Sequence, residues 1–232
     1  MYLFALAILI APTKAYLSPV SDIKDSVRGL KNNLRVEVKQ KVENIKEPKQ
    51  ELNQQVQEKR AELKNELDAK RAEVKDRVQA QKEELKTRLK NIKDERKKEL
   101  ATKINDQISA LNEKMTAHFS AVLDKLENIL DRISARADKA EINGKSVASV
   151  RAAVQTAKTA IENSRTAITT QTIKTYNLVI AGESTLRTDV GGARQILQSD
   201  LTAVKNAVKA AQQAVKDAAV SLAQIPNIDK EK

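Results

Sequence analysis

The chain has 232 residues, of which 31% are charged and only 2% are aromatic, and it contains no Cys and no Trp. This composition, with five Gly and four Pro, is typical of long helices packed along seams and argues against a globule with a large central core. The absence of Cys excludes disulfides, thiolate metal sites and cysteine nucleophiles, and the net charge of +11 comes from intermixed acids and bases rather than from one basic tail.

Residues 1–15 have the pattern of a secretory signal. An uninterrupted apolar run, YLFALAILIA at residues 2–11, is followed by Pro12, and small residues occupy the −3 and −1 positions of a cut after Ala15. The run is too short to span a bilayer, which needs about 20 residues. We therefore expect export to the cell envelope or extracellular space with cleavage after Ala15. An uncleaved leader held at the membrane surface is the alternative.

Residues 16–47 are predicted to form a charged amphipathic helix. From Val20 to Ile45 the apolar residues recur at steps of three or four, which places them on one side of a helix. Pro48 lacks the amide hydrogen that a helix interior requires, and its ring clashes with the preceding turn. We therefore expect a kink or a break at residues 45–47.

Residues 48–104 are predicted to form a helical rod, because the sequence repeats every eleven residues. In register the units read ELNQQVQEKRA, ELKNELDAKRA, EVKDRVQAQKE, ELKTRLKNIKD and ERKKELATKIN. Eleven residues make three turns at about 3.67 residues per turn, so a narrow apolar stripe keeps to one side of the helix. The stripe consists of Leu52, Val56, Leu63, Leu67, Val74, Val78, Leu85, Leu89 and Leu100, with Arg96 in the place of one apolar residue.

The remaining surface of the rod carries acid-to-base pairs four residues apart. Each such pair stabilises a helix by about 0.2–0.5 kcal/mol, so the rod is helical even without a partner. A solitary charged helix therefore competes with a coiled coil as the interpretation of this segment. The pairs are Glu66 with Lys70, Glu73 with Arg77, Glu84 with Arg88, and Asp94 with Lys98.

Residues 105–225 are predicted to form an antiparallel three-helix bundle, with helices at 105–142, 146–181 and 184–224 and a tail at 226–232. Asn143-Gly144 is a strong helix stop, since Gly readily takes the left-handed conformation at C′, and Ser146 and Ser184 are suited to be N-caps. The predicted stripe of the first helix is Leu100, Ile104, Ile108, Leu111, Met115, Phe119, Val122, Leu126, Ile129 or Leu130, and Ile133. Those of the other two are Val147, Val150, Val154, Ala157, Ile161 and Ile168, and Leu186, Val190, Ala193, Leu197, Leu201, Val204, Val208, Ala211, Val215, Ala218 and Leu222.

The predicted fold class is therefore all-α, with a long hendecad-repeat helix, an extended rod or coiled coil, that continues into the antiparallel three-helix bundle. Short links between helices of similar length make neighbours antiparallel. No breaker separates the rod from the first helix of the bundle, so we expect one helix through both.

No residue pattern predicts catalysis or metal binding. His118 is the single histidine, and one His without Cys or a second His cannot complete a zinc site. We interpret it as a residue at the edge of the bundle. Gly191-Gly192 lacks the companion glycines and the preceding strand of a dinucleotide fingerprint. We expect a protein that is not an enzyme and that uses no cofactor.

The strongest local excess of positive charge lies at residues 86–98, KTRLKNIKDERKK. Such a patch can meet the phosphates of lipid headgroups, of envelope polymers or of nucleic acid. No aromatic residue interleaves the bases, so stacking on nucleobases is unsupported and specific nucleic-acid binding is not expected. The candidate residues are Lys86, Arg88, Lys90, Lys93, Arg96, Lys97 and Lys98.

Two parts of the chain resemble known protein groups. LNEKMTAHFSAVLDKLENILDRISARADKAEINGKSVASV (111–150) and STLRTDVGGARQILQSDLTAVKNAVKAAQQAV (184–215) resemble uncharacterised exported helical proteins from ultra-small bacteria of the candidate phyla radiation. This resemblance covers about residues 105–225 and implies export and the same helix boundaries, but no activity or site. The eleven-residue repeat resembles, in period rather than in motif, exchangeable apolipoproteins, late-embryogenesis proteins and the stator b-subunits of rotary ATP synthases.

These patterns predict an exported, non-enzymatic structural protein of the cell envelope. It acts as a helical spacer or scaffold and self-associates along its helix seams into a homo-oligomer. The alternative is an amphipathic-helix binder of anionic membrane or polyanion surfaces, in which the rod lies flat with its leucine stripe in the headgroup region. Concentration-dependent association supports the first function, whereas helicity that rises on anionic vesicles supports the second.

Overall fold

The protein is all-helical in the computed structural model, which describes residues 20–226. That range contains four helices and no strand: α1 (Val20–Leu89), α2 (Glu95–Ile142), α3 (Ala148–Thr172) and α4 (Leu186–Ala223). The predicted all-α class is confirmed. The predicted leader at residues 1–15, the start of the predicted helix 16–47 and residues 227–232 of the predicted tail lie outside the described range.

The chain divides into two compact units, Met1–Val56 and Gln57–Lys232, and the boundary falls within α1. In the first unit, the described side chains from Lys24 to Gln40 are all exposed. The helix passes through Pro48 without ending, so a break at residues 45–47 is wrong, while a kink there stays a prediction. Proline removes one helical hydrogen bond, and the strong helix formers that surround it here continue the helix on both sides.

In the second unit, α1 ends at Leu89 and a turn at residues 90–94 precedes α2. The backbone N–H groups of Lys90, Asn91 and Ile92 donate to carbonyls three residues earlier, which tightens the last turn. The Asp94 carboxylate then caps α2 by accepting the Arg96 N–H at 3.0 Å and the Lys97 N–H at 3.3 Å. The predicted continuous helix through the rod and residues 105–142 is therefore wrong.

Residues 57–89 of α1 run antiparallel to α2, because successive positions along α1 form ion pairs with α2 in reverse order. The buried side chains of Leu85 and Leu89 join the core of the second unit, and Leu67, Val74 and Val78 are partly buried. Part of the hendecad stripe is thus buried within the chain itself, while Leu63 and Leu100 are exposed. The pairs are Arg60 with Glu127 and Asp131, Lys75 with Glu113, and Lys82 with Asp106.

The acid-to-base pairs predicted along α1 are confirmed in three of four positions. Lys70 lies 2.6 Å from Glu66, Arg88 lies 2.6 Å from Glu84, and the Arg77 pair with Glu73 is longer at 3.9 Å. The fourth pair, Asp94 with Lys98, is wrong. The Asp94 carboxylate is used as the cap of α2, and Lys98 pairs with Glu95 at 2.6 Å.

Helices α2, α3 and α4 pack against one another in all three combinations. Arg165 of α3 reaches Asp124 and Glu127 of α2, whereas Arg151, earlier on α3, reaches Asp138 and Glu141, later on α2. Helices α2 and α3 therefore run in opposite directions. All the residues predicted for the stripes of the second and third bundle helices are buried, which confirms both patterns.

The stop at the end of α2 is confirmed. Gly144 has a φ of 75°, the Lys145 N–H donates to the Ala140 carbonyl at 2.9 Å, and the Gly144 N–H donates to the Glu141 carbonyl at 2.9 Å. This pair of bonds is a Schellman motif, which satisfies the last carbonyls of the helix.

Two predicted N-caps and one helix end are wrong. Val147 and Thr185 occupy the N-cap positions of α3 and α4 without a side-chain capping bond, in place of Ser146 and Ser184. Helix α3 ends at Thr172 rather than at residue 181. Residues 173–185 form a non-helical connection, in which Tyr176, Leu178 and Ile180 are buried. Frequent β-branched residues there reduce helix propensity.

Candidate binding surfaces and the buried polar cluster

The structure places the seven candidate polyanion residues around the turn from α1 to α2. Within the described range, Lys90, Lys93 and Arg96 have no ion pair, so any anion binding at this turn rests mainly on them. Binding of polyanions there stays a prediction. The other four bases are paired: Lys86 with Glu83, Arg88 with Glu84, Lys97 with Glu183, and Lys98 with Glu95.

Glu183 connects this turn to the segment between α3 and α4. Its carboxylate accepts the Lys97 ammonium at 2.8 Å and the Lys93 backbone N–H at 3.1 Å. The hydrogen bond from Lys97 is the main cause that lowers the pKa of Glu183, and the bond from the Lys93 N–H is the second. The same contact with Glu183 raises the pKa of Lys97. Water screens a pair this exposed, so the contact orients the turn and adds little stability.

A cluster of polar side chains joins α2, the end of α3, the 173–185 connection and α4. We call Asn112, Gln171, Tyr176 and Asp200 the buried polar cluster. The Gln171 amide donates to Asn112 Oδ1 at 2.8 Å and to the Tyr176 hydroxyl at 2.5 Å. The Tyr176 hydroxyl donates to Asp200 Oδ2 at 2.8 Å. Asn112 Nδ2 donates to the backbone carbonyls of Gln171 and Lys174, each at 3.3 Å.

The environment of the cluster keeps Tyr176 neutral and Asp200 charged. Burial, and then the contact with Asp200, raises the pKa of Tyr176 well above its ordinary value. Desolvation favours protonation of Asp200, but the Lys174 ammonium at 2.9 Å and the Tyr176 hydroxyl outweigh it, so the pKa of Asp200 is lowered. Tyr176 therefore keeps its proton at neutral pH and links an amide to a carboxylate.

Helix α1 covers the connection next to this cluster. Gln81 donates its side-chain amide to the Thr175 hydroxyl at 2.9 Å, and Arg77 Nη2 donates to the Ile173 carbonyl at 3.1 Å. These bonds supply a partner to the Ile173 carbonyl and to the Thr175 hydroxyl, at the start of a segment that is not helical. Periodicity alone does not predict them, because Arg77 and Gln81 lie off the apolar stripe.

The apolar stripe predicted for the first half of α2 is only partly buried, because Ile108 and Phe119 belong to the core but other members do not. Leu100 and Leu111 are exposed, and Ile104 and Met115 are partly buried. The residues that directly follow four members of the stripe, Ala101, Asn105, Asn112 and Thr116, are buried as well. Because one step along a helix is a rotation of about 100°, this half of α2 turns two asparagines and a threonine inward and leaves Leu100 and Leu111 exposed.

The partly buried stripe lines an open groove between α2 and α4, which we call the α2–α4 groove. Its floor includes the buried residues Ile108, Phe119 and Leu197, and Leu111 on its rim is 46% exposed. Gln107, Gln198 and Thr202 border it, with Arg194 and Lys205 on the α4 side. No described part of the chain covers the exposed part of Leu111.

His118 lies exposed beside the buried Phe119, with ring centroids 5.9 Å apart. Among residues 20–226 no group of three His, Cys, Asp or Glu side chains is placed to hold a metal ion. No helix in the same range has the length and hydrophobicity needed to cross a bilayer.

No family model, curated protein or solved structure matches the chain. The resemblance to exported helical proteins therefore stays a prediction.

Proposed function

We propose that the protein is a non-enzymatic helical scaffold that assembles with copies of itself through the α2–α4 groove. The observation that carries this proposal is the orientation of the first half of α2, which leaves Leu111 46% exposed in the groove while the adjacent Asn112 is buried. A helix that only stabilised its own bundle would place Leu111 inside and Asn112 outside. The inverted placement is expected where a second protein surface covers the leucines.

The buried polar groups support a structural role. Asn112, Gln171, Tyr176 and Asp200 bond to one another or to backbone carbonyls, so their hydrogen-bonding capacity is used in holding α2, α3 and α4 together. A satisfied polar network fixes one arrangement of the helices. A catalytic site instead needs a polar group aimed at a position that substrate can occupy.

A second copy suits the chemistry of the groove. Three of its bordering side chains, Gln107, Gln198 and Thr202, are neutral, so little charge is desolvated when the groove is covered. Arg194 and Lys205 have long aliphatic stems and can keep their charged ends in water. The expected homo-oligomer thus forms along a helix seam in the second unit, and the hendecad stripe of residues 57–89 is not that seam.

The spacer role follows from helix length. Helix α2 has 48 residues, which corresponds to about 70 Å at 1.5 Å per residue. We propose that this length, rather than a rod at residues 48–104, sets the distance that the scaffold spans. The leader pattern of residues 1–15 supports export and a place in the cell envelope.

The alternative function places residues 48–104 flat on an anionic membrane. Its support is weak for residues 57–89, because Leu85 and Leu89 are buried in the core of the second unit. A membrane contact through these leucines would require the second unit to open.

Light scattering coupled to size exclusion tests self-association on the chain from residue 16 onward. We expect wild type to be oligomeric, and Leu111→Asp to be monomeric with unchanged helicity by circular dichroism. The matched control is Ile129→Asp, because Ile129 lies on the same helix, is 43% exposed and does not line the groove. A monomeric wild type, or equal behaviour of the two variants, would contradict the proposal.

A further inference from the structure

A basic stripe runs beside an apolar stripe on the helix of the first unit. Three times an apolar residue is followed directly by a base, in Val27-Arg28, Leu30-Lys31 and Leu34-Arg35. At 100° per residue, the three apolar side chains fall within an arc of about 60°, and the three bases fall within an equal arc about 100° further round. Lys24 and Lys39 extend the basic stripe at both ends.

Both stripes are exposed and without partners. Val27 is 58% exposed and Leu30 is 63% exposed. Within the described residues, Lys24, Arg28, Lys31, Arg35 and Lys39 form no ion pair. This differs from residues 60–89, where acidic side chains on α1 or α2 neutralise most of the bases. The helix of the first unit therefore keeps its positive charge available for an external anion.

We propose that residues 20–40 bind the surface of an anionic lipid bilayer. The helix lies flat, with Val27, Leu30 and Leu34 at the level of the headgroups and the neighbouring bases at the lipid phosphates. A bilayer surface satisfies both stripes at once, whereas a soluble polyanion would leave the apolar side chains in water. This membrane contact of residues 20–40 is separate from the alternative function described above, in which residues 48–104 lie on the membrane.

A second copy of the helix complements these stripes less well. An antiparallel pair would bring the two basic stripes together, and like charges at a helix interface oppose pairing. Glu37 lies on the other edge of the apolar stripe, so it could form one interhelical pair in a parallel arrangement. Asp25 lies on the far side of the helix from Val27, beyond reach of such a partner.

Face-specific labelling tests the proposal on the full chain, which contains no native Cys. Val27→Cys and Val36→Cys each carry one environment-sensitive fluorophore. The two valines are similarly exposed, at 58% and 55%, but they lie about 180° apart on the helix. With vesicles of phosphatidylcholine and phosphatidylglycerol, we expect a blue shift of the emission of the label at position 27 and little change at position 36. With phosphatidylcholine alone, we expect no shift at either position. Membrane insertion of the predicted leader could not produce this difference between faces.

The basic stripe is tested with Arg28→Gln/Lys31→Gln. At about 1 kcal/mol per basic residue near an anionic surface, removal of two charges lowers vesicle partitioning about 30-fold. Lys59→Gln/Lys64→Gln is the matched control, since it removes the same charge from exposed bases outside the stripe. Leu111→Asp should leave partitioning unchanged, which separates this inference from self-association through the α2–α4 groove.

Four results would overturn the inference. The first is an equal shift at positions 27 and 36. The second is equal binding to neutral and to anionic vesicles. The third is a blue shift at position 27 that grows with protein concentration without vesicles, which would assign the stripe to a second copy. The fourth is an equal shift with polyphosphate, which would assign it to soluble polyanions.

Discussion

Arg60 of α1 binds Asp131 of α2 through two hydrogen bonds, from Nη1 at 3.0 Å and from Nη2 at 3.3 Å. The residues are 71 positions apart, which on one continuous helix would separate them by about 105 Å. Arg60 Nε also lies 3.1 Å from Glu127. This contact requires the chain to reverse between α1 and α2, and it locates the reversal at a turn that has neither Gly nor Pro.

Glu127 should matter more to stability than Asp131. Glu127 is only 14% exposed and binds both Arg60 of α1 and Arg165 of α3, whereas Asp131 is 51% exposed and binds Arg60. We expect Glu127→Ala to lower the free energy of unfolding by about 1–2 kcal/mol and Asp131→Ala by less than about 1 kcal/mol. Urea unfolding followed by circular dichroism measures both, and equal losses would contradict the bridging role.

Tyr176→Phe should destabilise the protein by about 1–2 kcal/mol. The variant keeps the ring but removes the hydroxyl that accepts from Gln171 and donates to Asp200. Thr166→Val is the control, because it removes an exposed hydroxyl that bonds only to its own helix, at the Glu162 carbonyl. We expect that control to change the free energy of unfolding by less than about 0.5 kcal/mol. A neutral Tyr176→Phe variant would show that the cluster does not hold the helices.

The raised pKa of Tyr176 predicts a tyrosine that ionises late. Burial favours the neutral phenol in the folded state, so its contribution to stability is complete below the ordinary pKa of about 10 and is lost as the pH rises through the folded-state pKa. Absorbance titration of the folded chain should show one of the three tyrosines ionising well above pH 10. That component should vanish in Tyr176→Phe, and a variant that retained it would contradict the assignment.

Asp200 has the opposite dependence on pH. Its pKa is lowered by Lys174 and Tyr176 in spite of desolvation, so its contribution is present above the ordinary carboxyl pKa of 3.8 and is lost as the pH falls through the folded-state value. Asp200→Asn should therefore flatten the acid limb of the stability curve below about pH 4. Urea midpoints between neutral and acidic pH measure this slope, and parallel curves for variant and wild type would contradict the prediction.

Replacing Gly144 and replacing Gly191 by alanine should change the stability of the protein in opposite directions. Gly144 has a φ of 75° in the Schellman motif, so Gly144→Ala should cost about 1 kcal/mol. Gly191 lies inside α4, and the position that an alanine Cβ would take there has no neighbouring side chain within 4 Å. Gly191→Ala should therefore stabilise by about 0.5–1 kcal/mol. Thermal unfolding of the two variants gives the comparison, and the same sign for both would contradict the assigned helix bounds.

The sequence predicted α4 well because one strong signal determines that helix. One stripe of apolar residues recurs at steps of three and four from Leu186 to Leu222, and every member of that stripe is buried. The end of α2 was equally predictable, since Gly144 has a conformational reason to be there. In α4 and at the end of α2, the local helix signals and the tertiary packing favour the same structure. The sequence alone is therefore enough to predict it.

The turn at residues 90–94 was not predictable from periodicity alone. The eleven-residue repeat continues across the turn. The strongest local indication of a turn is Arg96, which stands where the repeat has an apolar residue. Asp94 fits two roles, as an ion-pair partner of Lys98 or as an N-cap, and only tertiary packing selects the cap. The buried polar cluster was missed for a similar reason, because Asn112 and Gln171 have the pattern of solvent-facing helix residues.

The fold-back of α1 on α2 is tested most directly by a distance between two spin labels. Lys64 and Lys125 are both exposed, and the cysteine-free chain allows a label at each position through Lys64→Cys/Lys125→Cys. With packed helix axes about 10 Å apart, the labels should lie within about 30 Å of each other. A distance near 90 Å, as one continuous helix between the two positions requires at about 1.5 Å per residue, would contradict the account.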